Sequence, residues 1–256
     1  MRRQLKRFVR KQLGYLPVPN FSKFHNPEAK ASPNAGPIEQ AFFSHEGKTV
    51  DKWHHYLPAY DRHFAPYRDK PVGMLEIGVF KGGSLELWNS YFHPDSMIMG
   101  IDINPDCAAF DNNPCQVRIG SQADPAFLDL CIQEFPDGID IILDDGSHKS
   151  HHVIASFSHL FPKLKDGGIY VVEDLHCAYW EPFGGNYRGR GTFIGEVRKL
   201  IDDMHFAYHG VGNGKPDITS ICVYDSMIVI EKGKAFAPQM SKRGAIPQDN
   251  GQASRN

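Results

Sequence analysis

An open, mostly parallel α/β sheet with helices on both faces and an antiparallel hairpin at its end is the fold class that the sequence predicts. Three observations carry this. From residue 72 onward, apolar runs of strand length alternate with segments of helical periodicity. The runs are too uniformly apolar to leave one face wet, as expected of parallel strands covered on both sides. The last two runs meet at Asp225-Ser226 with only a turn between them, so they pair as a hairpin.

Taken in order, the chain opens on "MRRQLKRFVRKQL", in which Leu5, Phe8, Val9 and Leu13 recur at helical spacing among six basic residues. This is a basic amphipathic helix, suited to a partner or to the surface of an anionic membrane. Residues 14–36 are rich in Pro, Asn, Ser and Gly without periodicity and read as an arm. "PIEQAFFSHE" and "DKWHHYLPAYDRHFAPYRD" follow as short helices interrupted by Pro58 and Pro66. Then come strand "VGMLEIG", helix "GSLELWNSYF", strands "MIMGID" and "QVRIG", helix "PAFLDLCIQEF", strand "IDIILDD", helix "HHVIASFSHLFPKL" and strand "GGIYVVED". "TFIGEVRKLIDDMHFAYH" reads as one long helix, and "DITSICVYDSMIVIEKG" supplies the hairpin. The expected organisation is a helix and arm at 1–36, a catalytic domain with a helical cap at 37–234, and a polar disordered tail at 235–256.

Composition sets limits on function. With 41% hydrophobic residues, 23% charged residues and a net charge of −2, nothing global points to nucleic acid. Five cysteines without a CxxC pair read as free thiols of a reducing compartment. No apolar run approaches the roughly 20 residues of a membrane span, so a soluble cytoplasmic protein is expected.

Ligands of an open α/β sheet bind beyond the carboxyl ends of its strands, so candidate site residues stand at those ends. The first ends in "EIGVFKGGS", with Glu76, Gly78 and Ser84 in a glycine-rich turn that a backbone–ligand approach or a tight strand-to-helix turn would each explain. The second places Asp102 where an acid receives the hydroxyls of a nucleoside ribose. After the third, Ser121 and Gln122 are candidates for an adenine edge, and Asp124-Pro125 reads as a helix cap. The fourth and fifth end in "LDDGSH" and "VVEDLH". Three converging carboxylates repel unless a cation neutralises them, and oxygen donors of this kind suit Mg²⁺, Mn²⁺ or Ca²⁺; pairing with nearby lysines is the competing explanation.

These features together resemble a class I S-adenosylmethionine-dependent methyltransferase, whose Rossmann-like sheet has seven strands. "LEIGVFKGGSLELWNSYF", "GIDI", "DDGSH" and "EDLHCAYW" are further similar to the metal-dependent macrolide-sugar O-methyltransferases over residues 45–232. The family's "TDK" stands here as "TVDKW". The resemblance implies S-adenosylmethionine and Mg²⁺, with Mn²⁺ as substitute, and Asp145, Glu173 and Asp174 as metal ligands. It also implies His148 as general base and Glu76, Gly78, Asp102 and Gln122 as cofactor contacts. Asp144, facing away from Asp145 by strand alternation, is left to the cofactor side together with Ser84, and Tyr56 is expected to close over the methionine end beside Asp51, Lys52 and His55.

After the fifth strand, "CAYWEPFGGNYRGRGTF" reads as a lid. Tyr179, Trp180, His176 and Arg188 in or beside it are the expected acceptor contacts. A small-molecule or glycan acceptor bearing a diol follows, with no nucleic-acid partner, a homo-oligomer expected, and the N-terminal helix as a peripheral membrane contact. Two other functions share part of the pattern: a nicotinamide-dependent oxidoreductase, which would not explain the acids, and a non-catalytic metal-dependent carbohydrate-binding module.

Overall fold

The computed structural model of the chain describes Leu16 and residues 18–188, 190–211, 217–234 and 238–244. The expected basic helix at residues 1–13 lies outside them, as does most of the expected tail.

Seven strands form one sheet: β1 (Gly73–Ile77), β2 (Met97–Asp102), β3 (Cys115–Ile119), β4 (Ile139–Asp144), β5 (Leu164–Val172), β6 (Ile218–Val223) and β7 (Ile228–Lys232). Their order is β3-β2-β1-β4-β5-β7-β6, with β1 to β5 parallel and β7 antiparallel to both β5 and β6. The order reverses between β1 and β4, so the switch-point crevice opens beyond their carboxyl ends.

Alternation along the strands feeds two cores. Ile169 and Val171 of β5 join Leu57, Tyr60, Phe64 and Trp88 on one face, while Tyr170 and Val172 join Phe157, Leu160, Phe193 and Val197 on the other. Helix α1 (Pro37–Phe43) adds Ile38 to the first core beside α2 (Leu57–Phe64) and α3 (Gly83–Tyr91), and α4 (Pro125–Gln133) adds Leu128 and Cys131 to the second beside α5 (Ser150–Leu160) and α6 (Phe193–Met204). Asp124 caps α4 by accepting from the amide of Ala126 at 3.0 Å, with Pro125 in the first turn, as the sequence predicts.

Two expectations change. Pro58 does not interrupt a helix: it lies in the first turn of α2, where the missing N–H costs nothing, and Pro66 likewise opens a 3-10 turn at Ala65–Tyr67. The expected single helix at 192–209 is two, α6 and the short α7 (Phe206–His209). At the break the His205 amide reaches back only three residues to Asp202, and its Nδ1 takes the Ile201 carbonyl at 2.8 Å.

Candidate functional site

The first turn of the site is made by packing. Gly78, after β1, has φ +100°, and a Cβ there would stand 2.2 Å from the Asp145 carbonyl oxygen. The glycine lets the turns after β1 and β4 approach each other. Beyond them opens a cleft of about 610 Å³ whose lining includes Gly78, Asp102, Gln122, Asp145, His148 and Asp174. Phe80 and Ile103 also line it, 61% and 70% exposed, and offer it apolar faces.

Asp102 accepts from the amides of Val79 (2.9 Å), Phe80 (3.2 Å) and Asn104 (2.8 Å). Burial works against its charge, but these amides outweigh it and hold the carboxyl below its ordinary value. Gln122 accepts from the Ser147 amide at 2.8 Å and donates to Asp144 at 3.1 Å, so it ties the turn after β3 to the turn after β4. Asp144, 2% exposed, also accepts from Ser156 (2.6 Å) and Tyr170 (3.1 Å). It points away from Asp145 as alternation requires, and it reaches the cleft only through Gln122. Glu76 and Ser84 are likewise buried behind the wall, joined to each other at 2.9 Å.

The carboxylates do meet a cation: Lys52, 7% exposed, donates to Asp145 at 2.5 Å and Glu173 at 2.8 Å and lies 4.0 Å from Glu76. Burial alone would neutralise it, yet Asp145, Glu173 and Glu76 together outweigh burial and keep the ammonium charged. Burial likewise pushes the Glu76 carboxyl up to about 7, with Lys52 opposing. Tyr60 donates a short hydrogen bond to Glu173. The explanation left open from sequence, pairing with a nearby lysine, therefore holds for Glu173 and for one oxygen of Asp145.

Asp174 stands on the open side. Asp174 and His148 both adopt left-handed backbone, φ +53° and +55°, a conformation that costs a non-glycine residue about 1–3 kcal/mol. The result is convergence: His148 Nε2 is 3.7 Å from Asp174 Oδ2, and Asp145, His148 and Asp174 each offer a ligand atom within 4.8 Å of the others. Tyr56, fully buried, donates to the other Asp174 oxygen at 2.8 Å and anchors that carboxylate. Ser226, also left-handed at the tip of the β6–β7 hairpin, accepts the Leu175 amide at 2.9 Å and hydrogen-bonds the His176 ring.

A set of aromatic rings adjoins this cluster, and none of them lines the cleft. His176 and Trp180 have centroids 4.7 Å apart, Trp53 lies 5.9 Å from His176, and Phe183 bridges Trp180 (6.1 Å) to His148 (6.4 Å). The 3-10 turn Leu175–Tyr179 carries His176, the turn Glu181–Phe183 carries Phe183, and Trp180 stands between the two. Tyr179 faces elsewhere, toward Tyr187, on whose ring Arg188 lies.

The structure thus brings Gly78, Asp102, Gln122, Asp145, His148 and Asp174 to one cleft, and His176 and Trp180 to its flank. It sets Glu76, Ser84, Asp144 and Tyr56 behind it and Tyr179 and Arg188 apart. Tyr60 and Ser226 were not expected. Tyr60 sits one helical turn after Tyr56, so the Tyr-x-x-x-Tyr spacing on one helix face was a usable signal. Ser226 left no such signal, because the hairpin's reach to the fifth strand's turn is purely tertiary.

Comparison with known proteins matches residues 75–175 to a family model described as a methyltransferase domain. Over that stretch the chain is similar to a methyltransferase domain. It is 42% identical over 177 residues to the 8-demethyl-8-alpha-L-rhamnosyl tetracenomycin-C 2'-O-methyltransferase of Streptomyces olivaceus, covering 65% of this chain and 46% of that protein. It is 39% identical over 210 residues to the mycinamicin VI 2''-O-methyltransferase of Micromonospora griseorubida, covering 76% and 50%. Among solved structures, the MycE methyltransferase in complex with Mg, SAH and mycinamycin VI superposes with a TM-score of 0.64 at 37% identity, covering 78% of this chain and 53% of that one. The chain spans about half the length of the curated relatives it matches. The matched part of the methyltransferase domain begins in β1 and ends just past Asp174.

Proposed function

We propose that the chain is a metal-dependent O-methyltransferase that moves a methyl group from S-adenosylmethionine to a hydroxyl of a vicinal diol on a glycoside. The observation that carries this is the position of Asp145, His148 and Asp174, between a cleft of nucleoside-ligand size and a set of aromatic rings suited to a sugar face. Names of relatives support the acceptor class, since several methylate sugar hydroxyls of glycosylated natural products.

The residues fit both the divalent ion and S-adenosylmethionine. Asp145 and Asp174 offer hard oxygen donors for a divalent ion, while Glu173, expected from sequence as a third ligand, is engaged by Lys52 and Tyr60 and stands behind them. Asp102 has three amide partners, and one of its roughly four acceptor sites is left for a ribose hydroxyl. When bound, the ion supplies Lewis acidity toward a sugar hydroxyl and S-adenosylmethionine supplies an electrophilic methyl. His148 takes the proton of the attacking hydroxyl at Nε2, and Asp174 stabilises the imidazolium that results. Tyr56 and the strained backbone at 148 and 174 hold these groups before substrate arrives, so alignment costs little at the reacting moment. His176 presents a face toward the sugar ring, backed by the buried Trp180. The nicotinamide alternative gains no support from a family model that describes a methyltransferase.

The test is transfer of radiolabelled methyl from S-adenosylmethionine to methyl α-L-rhamnoside, a 2,3-diol, with Mg²⁺ and with EDTA. Incorporation is expected with Mg²⁺ and lost with EDTA. Turnover that survives EDTA contradicts the metal role, and full turnover in His148→Ala contradicts the base.

A further inference from the structure

The N-terminal arm does not drape over neutral surface. Its 3-10 turn Phe21–Phe24 delivers the Phe21 ring into the aromatic set beside the candidate site. That ring has centroid distances of 5.2 Å to Trp180, 5.6 Å to His176 and 5.7 Å to Trp53, and Phe24 lies on Trp53 at 5.7 Å. The arm is also tied by backbone: Leu16 bridges Trp180 in parallel register, and the Glu181 amide donates to the Leu16 carbonyl at 3.3 Å. Phe21 is only half-buried among these rings, so part of its face stays open next to them. One segment of loop thus touches Trp53 from the helical cap and both His176 and Trp180 from the turn after β5.

We propose that Phe21 is a specificity-determining residue: the arm completes the acceptor pocket with an aromatic wall that recognises an apolar aglycone attached to the sugar. This rests on the functional reading above. The logic is spatial. The cofactor-type cleft and the aromatic rings flank the Asp145–His148–Asp174 cluster, so a sugar whose diol meets the cluster on the ring side lays its glycosidic substituent toward Trp180, His176 and Phe21. The half-buried Phe21 and His176 rings, backed by the buried Trp180, favour a flat or apolar substituent through burial and ring contact and gain little from a methyl group.

The experiment compares methyl α-L-rhamnoside with 4-nitrophenyl α-L-rhamnoside, measuring KM and kcat for methyl transfer with Mg²⁺, and binding by quenching of tryptophan fluorescence by the nitrophenyl group in the presence of S-adenosylhomocysteine. The wild-type chain should prefer the aryl glycoside in KM. Phe21→Ala should raise KM for the aryl glycoside by about tenfold, with a smaller rise of about twofold for the methyl glycoside and kcat changed by less than about twofold. Phe21→Leu, which keeps apolar bulk, should restore most of the preference, and fluorescence binding should weaken in step with KM. Equal loss on both glycosides, or an unaltered preference in Phe21→Ala, overturns the inference while leaving the methyltransferase reading intact. Failure of the wild-type chain to methylate either glycoside overturns both.

Discussion

Glu173 and Asp174 are neighbours in the chain and carry the same charge, yet the fold places them in opposite settings. Glu173 is 4% exposed and held by Lys52 and Tyr60. Asp174, one residue later and in left-handed backbone, turns to the open cleft beside His148. One acid belongs to a buried charge cluster that holds strand ends together; the other is kept accessible at a cost in backbone strain. Asp145 joins the two regions, since one oxygen receives Lys52 while the residue also faces His148 and Asp174. The contrast teaches that adjacency in a motif such as "ED" does not imply equal roles.

The sharpest way to break this comparison is to remove the shared cation. Lys52→Met leaves Glu76, Asp145 and Glu173 facing one another without their counter-charge, and is expected to lower unfolding stability in urea by about 3 kcal/mol or more. A loss below about 1 kcal/mol would show that the buried cluster is not an anchor. Next in size, His148→Ala should reduce kcat by about a hundredfold or more with S-adenosylmethionine and a rhamnoside at saturation. Its stability should change by less than about 1 kcal/mol, because alanine keeps the Cβ that makes left-handed backbone costly and the His148 side chain is partly exposed.

Separating the two acids directly, Glu173→Gln should lose about 1–3 kcal/mol of stability, since a charged acceptor for Lys52 and Tyr60 becomes a neutral amide. Asp174→Asn should lose activity with a stability change under about 1 kcal/mol, its side chain being 21% exposed.

The smallest effect is on pH. Burial, opposed by Lys52, raises the Glu76 carboxyl from 4.5 to about 7. Between those values the folded state holds a proton that the unfolded state has released, so stability falls as pH rises through that window and levels off above about 7. Glu76→Gln should remove its share of this decline, at most about 1.4 kcal/mol per pH unit, and leave the share of Glu173 and Asp144, which burial raises too; an identical pH profile of unfolding in wild type and variant would contradict it.

Much of this was legible in the sequence, for definite reasons. Strands buried on both faces, such as "IDIILDD" and "GIYVV", cannot hide their apolar runs, and glycine-rich turns and acids mark their carboxyl ends, so sheet class, hairpin and cleft follow. Less legible was which side of the wall each polar residue takes. Ser84 and Glu76 satisfy each other out of sight of the cleft, and Asp144 acts through Gln122, although all three stand in the right turns. Repulsion among acids pointed to a metal, but Lys52, from a segment before the sheet, already supplies part of the missing charge. Residues such as Phe21 and Ser226 have no periodic signature because their roles arise only when distant segments meet.

The central claim is that the open set around Asp174 holds the divalent ion while the buried cluster around Lys52 holds the fold. Electron paramagnetic resonance of Mn²⁺ titrated into the purified chain tests it without any acceptor. Wild type should bind Mn²⁺ at a single site, His148→Ala should retain it, and Asp174→Asn should weaken it by at least about tenfold while remaining folded. Mn²⁺ binding in Asp174→Asn equal to that of wild type would contradict the account.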